Sequence, residues 1–348
     1  MPTLTTEDLL DLTKATLPEL GKGKWTDIVT DLQEYIALPN ILRKDRVVFK
    51  TGDEIKFNVL VARAANARNV GLYEEDNTNV SDGLEQATLP WRHSVNSWAY
   101  DRREVTMNDS IDQQIVDILR ERKTMMMLDL AELMENNWFG KPATSADKDT
   151  PHGLYYWVVK ANTTVGGAFQ GGRPSGFTDV AGLDPNVAKY TRWKNWGFSY
   201  TNISKEDFFR KLRKARTYCK FKSPTPQPNY SQGDKRQYLT NYAVIGLAEE
   251  YLEDRNDNLG NDLAAKDGQV TLGRRPLTWA PKLDADTTNP IYGINWGTWR
   301  ITFLRGEYLR EDAPKIKSGQ HNVIEGFQDC TYNFCCYDRR EQFVGYAA

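Results

Sequence analysis

Apolar and polar residues alternate through 46–63, RVVFKTGDEIKFNVLVAR, placing Ile55, Phe57, Val59 and Val61 on one face beyond a Thr-Gly-Asp turn. That is the period of a half-buried strand. A second extended stretch is predicted at 91–107, WRHSVNSWAYDRREVTM. The segment between them, YEEDNTNVSDGLEQATL (73–89), holds five acids and no base: Glu74, Glu75, Asp76, Asp82 and Glu85. Two strands joined by an irregular acidic tip make a projecting β-arm. An isolated two-stranded ribbon is marginal in water, so it is expected to lie on a neighbour.

The period then changes to that of a helix. In DSIDQQIVDILRERKTMMMLDLAELMENNWFG, Asp109 or Ser110 can cap the start and Gly140 closes the end. Ile111, Ile115, Ile118, Met126, Leu130, Leu133 and Trp138 supply the apolar stripe. About 28 residues at ~1.5 Å each make a rod of ~42 Å. The Met125–Met127 run reads as helix packing. A second helix, SKEDFFRKLRKARTYCKFK, begins at Ser204 with the stripe Phe208, Leu212, Ala215 and Cys219. It carries eight bases, Lys205, Arg210, Lys211, Arg213, Lys214, Arg216, Lys220 and Lys222, against two acids. That face is either turned to acids or phosphates, or simply solvated.

Shorter signals fill in the rest. Helices are expected at 3–17, stopped by Pro18, and at 26–37, stopped by Pro39, as an arm that packs on something else. The glycines of VGGAFQGGR (165–173) match no phosphate-loop spacing and read as turns. SPTPQPNYS (223–231) marks a boundary. A helix around 244–260 and strand-like runs near 270–283, 299–309 and 333–346 follow. Strands and helices are segregated, so the predicted class is α+β.

Composition narrows the function. Of 348 residues, 45 are Lys or Arg and 47 are Asp or Glu, a formal net charge of −2, without the basic excess of a dedicated nucleic-acid binder. No apolar run is long enough for a membrane helix, and the first residues lack a signal-peptide pattern, so synthesis in the cytoplasm is expected. Cys219, Cys330, Cys335 and Cys336 lack paired spacing and are expected to be reduced, buried thiols, not zinc ligands. Asp149 and His152 in DTPHG read as surface or capping residues. Asp284 and Asp286 read as a turn. No catalytic, metal or cofactor motif is present, and no cofactor is expected. The run 281–312, PKLDADTTNPIYGINWGTWRITFLRGEYLRED, concentrates aromatics without reactive groups, which points to surfaces between copies of the chain.

The order of these parts resembles the major capsid proteins of tailed double-stranded DNA phages, the Hong Kong 97-like fold. VTLGRRPLTWAPKL followed by NPIYGINWGTWRITFLRGEYL, with NDNLGND and HNVIEGFQDCTYNFCCYDRR, is similar to coat sequences over nearly the whole chain. The resemblance implies an N-terminal arm over 1–50, an extended loop over 51–108, and a peripheral domain over 109–222 with a spine helix at 110–139. It further implies an axial domain over 223–310, and C-terminal strands over 311–348 returning to the peripheral domain. It implies pentamers and hexamers in an icosahedral shell around phage DNA. Portal, decoration and scaffolding proteins would be partners, with assembly in the host cytoplasm and no membrane. Glu74, Glu75, Asp76, Asp82 and Glu85 would contact a neighbour. Lys205, Arg210, Lys211, Arg213, Lys214 and Arg216 would face that partner or DNA. Trp279, Tyr292, Trp296 and Trp299 would pack the axial domain. Some members crosslink through a loop lysine. None lies between Lys56 and Lys123, so a non-covalent shell is expected. Only ~50 residues precede the loop, against about a hundred in members with a cleaved scaffolding segment, so a separate scaffold and a retained N-terminus are expected. A shell holding enzyme cargo, as in encapsulins, shares the fold. A carbohydrate-active enzyme would instead be a monomer with a cleft carboxylate pair.

Overall fold

The structure, a computed structural model, describes residues 35–64, 66–75, 80, 82–107, 112–160, 165–221, 224, 233, 235–253, 271–272 and 275–348. The helices expected within 1–34, the cap at Asp109 or Ser110, Ile111, Asp76, Lys222 and nearly all of the 223–231 boundary lie outside them, as do the side chains of Ile115 and Ile118.

Two sheets organise the chain. The first is built on a 14-residue strand, Val323–Cys336. Trp299–Leu304 pairs antiparallel to one end of it, and Val47–Lys50 adds parallel to Trp299–Leu304. Arg92–Asp101 runs antiparallel along Val323–Tyr332, with Ile324 opposite Tyr100 and Asp329 opposite Val95. The short strands Arg310–Glu311 and Lys315–Ile316 close its other edge. The long helix, Asp112–Phe139, lies over this sheet. Asn96 donates from Nδ2 to the Met126 carbonyl, and Asn137 Nδ2 donates to the Tyr332 hydroxyl at 3.0 Å.

The second sheet has seven strands in the order Ala168–Gly171, Asn195–Tyr200, Phe343–Ala347, Ile291–Asn295, Arg236–Thr240, Arg275–Trp279 and Thr271–Leu272. Its faces are too crowded for side chains at two glycines. A Cβ on Gly293 would meet the Phe343 ring at 2.1 Å, and one on Gly345 the Phe198 ring at 2.3 Å. The helices Phe208–Tyr218 and Tyr242–Glu253 pack with it. Phe208, Phe209, Leu212, Ala215 and Cys219 share a buried cluster with Tyr238, Ile291 and Phe343. The architecture is α+β, as expected.

Sheet pairing crosses two of the expected limits. The basic helix packs with strands beyond 222. The last strand, Phe343–Ala347, joins Ile291–Asn295 in the seven-stranded sheet, while Trp299–Leu304 belongs to the other.

The β-arm exists with a different second strand. Glu54–Leu60 pairs with Leu84–Pro90, Ile55 opposite Leu89 and Phe57 opposite Ala87. The stretch expected to return, 91–107, instead gives Arg92–Asp101 to the central strand and turns helical at Arg102–Met107. Ten residue pairs with a 14-residue partner outweigh what a two-stranded ribbon offers. Two smaller expectations also change. Pro39 does not end a helix. It sits in the first turn of Leu38–Ile41, where a missing N–H is tolerated. In the long helix Leu133 is exposed; Met126, Leu130, Met134 and Trp138, each four residues on, form the buried stripe. Met125 and Met127 are therefore turned outward, not packed.

Candidate functional site

Residues 68–75 of the arm tip form a hydrogen-bonded turn. Arg68 donates from Nη1 to Glu74 Oε1 at 3.1 Å and from Nη2 to the Glu75 carbonyl. Gly71 N–H donates to Glu74 Oε2 at 2.8 Å. Tyr73 occupies the left-handed region, φ 65°, which a bulky residue adopts only under constraint. This lattice holds Leu72 and Tyr73 outward with relative exposures of 92% and 102%. Val70, Val80, Leu60 and Leu84 of the arm are exposed as well.

The tip acids are distributed unevenly. Glu74 is taken by Arg68. Glu85 lies in the second strand of the arm, and Lys189 of the same chain pairs with it and stands 3.8 Å from Asp82. The Lys189 contact holds the Glu85 carboxyl below its ordinary range. Asp82 and Glu75 remain exposed. Among the described residues, the most exposed features of the tip are thus apolar. Sequence reading, drawn to the acids, passed over Arg68, Leu72, Tyr73 and Lys189. The visible signal was the Leu-Tyr pair inside an otherwise polar, irregular segment.

The basic helix covers Phe208–Tyr218, shorter than 204–222. A turn precedes it in which Asp207 N–H donates to Ser204 Oγ at 3.2 Å. Its apolar stripe is buried as expected. Lys205, Arg210, Arg213, Lys214 and Lys220 are exposed. Lys211 is bound to Asp207 and, at 2.9 Å, to the Ser199 carbonyl, and Arg216 is half-buried. Lys214 Nζ sits 5.8 Å from the Trp196 ring centroid and 5.9 Å from that of Tyr218.

Most of the aromatic run is spent inside its own chain, in line with the packing expected of Tyr292, Trp296 and Trp299, and little of it is left as surface for another copy. Tyr292, Trp296, Trp299 and Phe303 are buried inside their own chain. Trp138 of the long helix stacks on Trp296 at 5.2 Å and meets Trp299 at 5.5 Å. Buried rings cannot face a second copy, so they join the long helix to both sheets. Trp279 is half-buried, its Nε1 donating to Asp284 Oδ2 at 2.8 Å.

The remaining candidates are structural. All four cysteines are free and buried, their thiols pushed up by desolvation. His152 is buried, not at the surface. Its N–H donates to Asn333 Oδ1, and Asn333 Nδ2 meets its Nδ1, both at 2.9 Å. Asp286 binds Lys160 at 2.5 Å and caps the turn at Thr288, as a turn reading requires. Among the described residues there is no His, Cys, Asp and Glu group able to hold a metal, and no helix long and apolar enough to cross a membrane.

The fold as a whole has counterparts among solved structures. The chain superposes on the "Cyanophage A-1(L) capsid asymmetric unit" with a TM-score of 0.60, covering 92% of this chain and 94% of that chain at 12% identity. The chain has the fold of a phage capsid protein. The "Capsid of native GTA particle computed with C5 symmetry" matches this capsid fold at a TM-score of 0.56, over 93% and 94% of the two chains at 14% identity. "Mycobacterium phage Bobi" matches at 0.50, over 100% and 99% at 10% identity. No family model and no curated protein matches the sequence. The likeness is therefore one of fold, and the neighbours belong to a structural class, not to an enzyme family.

Proposed function

We propose that this chain is a major capsid protein of a tailed phage, of the Hong Kong 97-like type. Copies would assemble as pentamers and hexamers into a non-covalent shell that encloses double-stranded DNA. The observation that carries the reading is the arm tip: a preformed turn that holds Leu72 and Tyr73 in water. Exposed apolar side chains on a projecting, ordered element are stabilised when a partner covers them. The capsid fold supports a second copy as that partner. Within each copy the six-stranded sheet with the long helix would form the peripheral domain, and the seven-stranded sheet the axial domain. Glu75, Asp76 and Asp82 would set register against a basic surface such as the Arg210–Lys220 face. Separate scaffolding and portal proteins would complete assembly in the host cytoplasm, with decoration proteins added to the finished virion.

The test is the size of the purified protein by light scattering and negative-stain microscopy, alone and with the products of its neighbouring genes. Shells, tubes, or rings of five and six support the reading. A stable 39.8 kDa monomer under every condition would overturn it. DNA content of the shells separates a virus head from a cargo compartment.

A further inference from the structure

A second charged feature lies at the root of the N-terminal segment, on residues that belong neither to the arm strands nor to the basic helix. Val47–Lys50 pairs parallel with Ile301–Leu304, and the Ile301 N–H donates to the Arg46 carbonyl at 3.1 Å. This register sets Arg46 and Arg300 side by side at the start of the paired strands. Both are buried, at 3% and 6% relative exposure. Arg46 donates from Nη1 to the Asn40 carbonyl, and its Nε is buried with no partner among the described residues. Arg300 donates from Nη1 to the carbonyls of Gly297 and Trp299, at 2.8 and 2.7 Å. Neither guanidinium forms an ion pair among the described residues.

Three exposed cations lie near this pair in chain or by contact: Arg43 and Lys44 immediately precede Asp45 and Arg46, and Lys235 pairs with Asp45. One described carboxylate, Asp45, bears on both buried arginines, and it is exposed and shared with Lys235 at 3.4 Å. Among the described residues these five cations and Asp45 sum to +4 (5 − 1), with Asp234, next to Lys235 in the chain, lying outside them. Desolvation first, and for Arg46 also repulsion from Arg43 and Arg300, lowers the pKa of the buried pair. Buried guanidinium groups normally meet a carboxylate or phosphate, because unpaired charge in a low-dielectric setting is costly. An anion arriving here would be drawn by the exposed cations and held at the buried pair.

We propose that Arg43, Lys44, Lys235 and Arg300, backed by Arg46, form a binding site for the phosphate groups of DNA. One incoming carboxylate would neutralise a single charge of the four. A nucleic-acid backbone presents a row of phosphates and matches a turn-long string of cations. The inference rests on the reading that the shell encloses DNA.

The test uses unassembled full-length protein and a short labelled DNA duplex, read by fluorescence anisotropy across a salt series. The R43A/K44A/K235A variant changes only exposed side chains. It should bind about tenfold or more weakly, with the salt slope reduced by ~2.7, about 0.9 for each lost phosphate contact. The R210A/R213A/K220A variant, with an equal charge change on the basic helix, should bind much as wild type does. Equal losses in both variants would mean diffuse attraction and would overturn the site, as would unchanged affinity in the first. If that variant keeps its DNA affinity but no longer assembles, the cluster receives a carboxylate from a neighbouring copy and the proposal fails. Shell formation by wild type is scored separately, so failure of the coat reading and failure of this site are distinguishable.

Discussion

Glu135, near the end of the long helix, holds the backbone of Ala37 from 98 positions away. Its Oε1 accepts the N–H of Ala37 at 2.8 Å and of Ile36 at 3.0 Å, while Oε2 accepts that of Leu38 at 2.9 Å. The carboxylate thus serves the orphan N–H groups at the start of the Leu38–Ile41 helix, a task usually done by a local cap. It is fully buried, and desolvation raises its pKa against the opposing pull of the three N–H groups. Replacing it with Gln keeps the shape but turns an NH2 group toward backbone donors. E135Q should lose ~1–3 kcal/mol in urea denaturation. Proteolysis should then cut faster near residues 36–38. Unchanged stability would show that the three bonds are dispensable.

Arg339 offers a second test of buried polar anchoring. Fully buried, it donates from Nε to the Trp157 carbonyl, from Nη1 to that of Trp193, and from Nη2 to those of Gly171 and Gly172, at 2.7–3.1 Å. No acid partners it among the described residues; carbonyl dipoles from three separate segments do so. Burial lowers its pKa to about 10. R339K keeps a charge but cannot span four acceptors, since an ammonium lacks the planar fork. A loss of ~2–4 kcal/mol is expected, read as a fall in the thermal midpoint. R339M, which leaves all four carbonyls without this donor, should be at least as unstable.

These two anchors explain what sequence could and could not reveal. Period-2 alternation at Ile55, Phe57 and Val59 and helical spacing at Phe208, Leu212 and Ala215 are local signals, and both buried faces were legible. The second arm strand was not: its inward face is only Ala87 and Leu89, too short a pattern to stand out. The long helix was legible as a helix, but its buried face was not, because Leu133 and Met134 are both apolar and only the sheet beneath chooses between them. The aromatic run signalled burial without saying whether the cover was this chain or another. Glu135 and Arg339 act across 97–182 positions, and no local spacing announces such contacts.

Stability should depend on pH through two buried groups of opposite sign. Glu341 is pushed up to about 7, by burial first and then by Asp338, with Asn295, Arg236 and Arg340 pulling the other way. An acid whose folded pKa is raised contributes stability below its ordinary 4.5, and loses it as pH rises through 7. His152 is pushed down to about 3, by burial first and then by Arg92, with Asn333 and Asp147 opposing. Its contribution is present above 6.5 and is lost as pH falls. The two slopes oppose each other between pH 4.5 and 6.5, so wild type alone should look flat there. E341Q isolates one of them. It should match wild type near pH 5 and exceed it by up to ~3 kcal/mol at pH 8. A constant difference across that range would remove Glu341 as the titrating group.

The arm tip gives the sharpest test of assembly. Leu72 and Tyr73 are almost fully exposed, so L72S/Y73S should leave the denaturation midpoint of the subunit unchanged. If a second copy covers them, each lost apolar contact should weaken assembly by ~1.5–3 kcal/mol. The concentration needed for shells would then rise at least tenfold in light scattering. R68A acts on the same contact indirectly, by releasing Glu74 and the Glu75 carbonyl and so the turn that presents the two side chains. It should therefore fall between wild type and L72S/Y73S. Lysines at Glu74, Glu75 and Asp76 probe charge instead of area. Normal shells from that triple variant, beside failed shells from L72S/Y73S, would place the contact energy in the apolar pair and leave the acids as register alone. Normal shells from both would mean that the arm tip is not an interface.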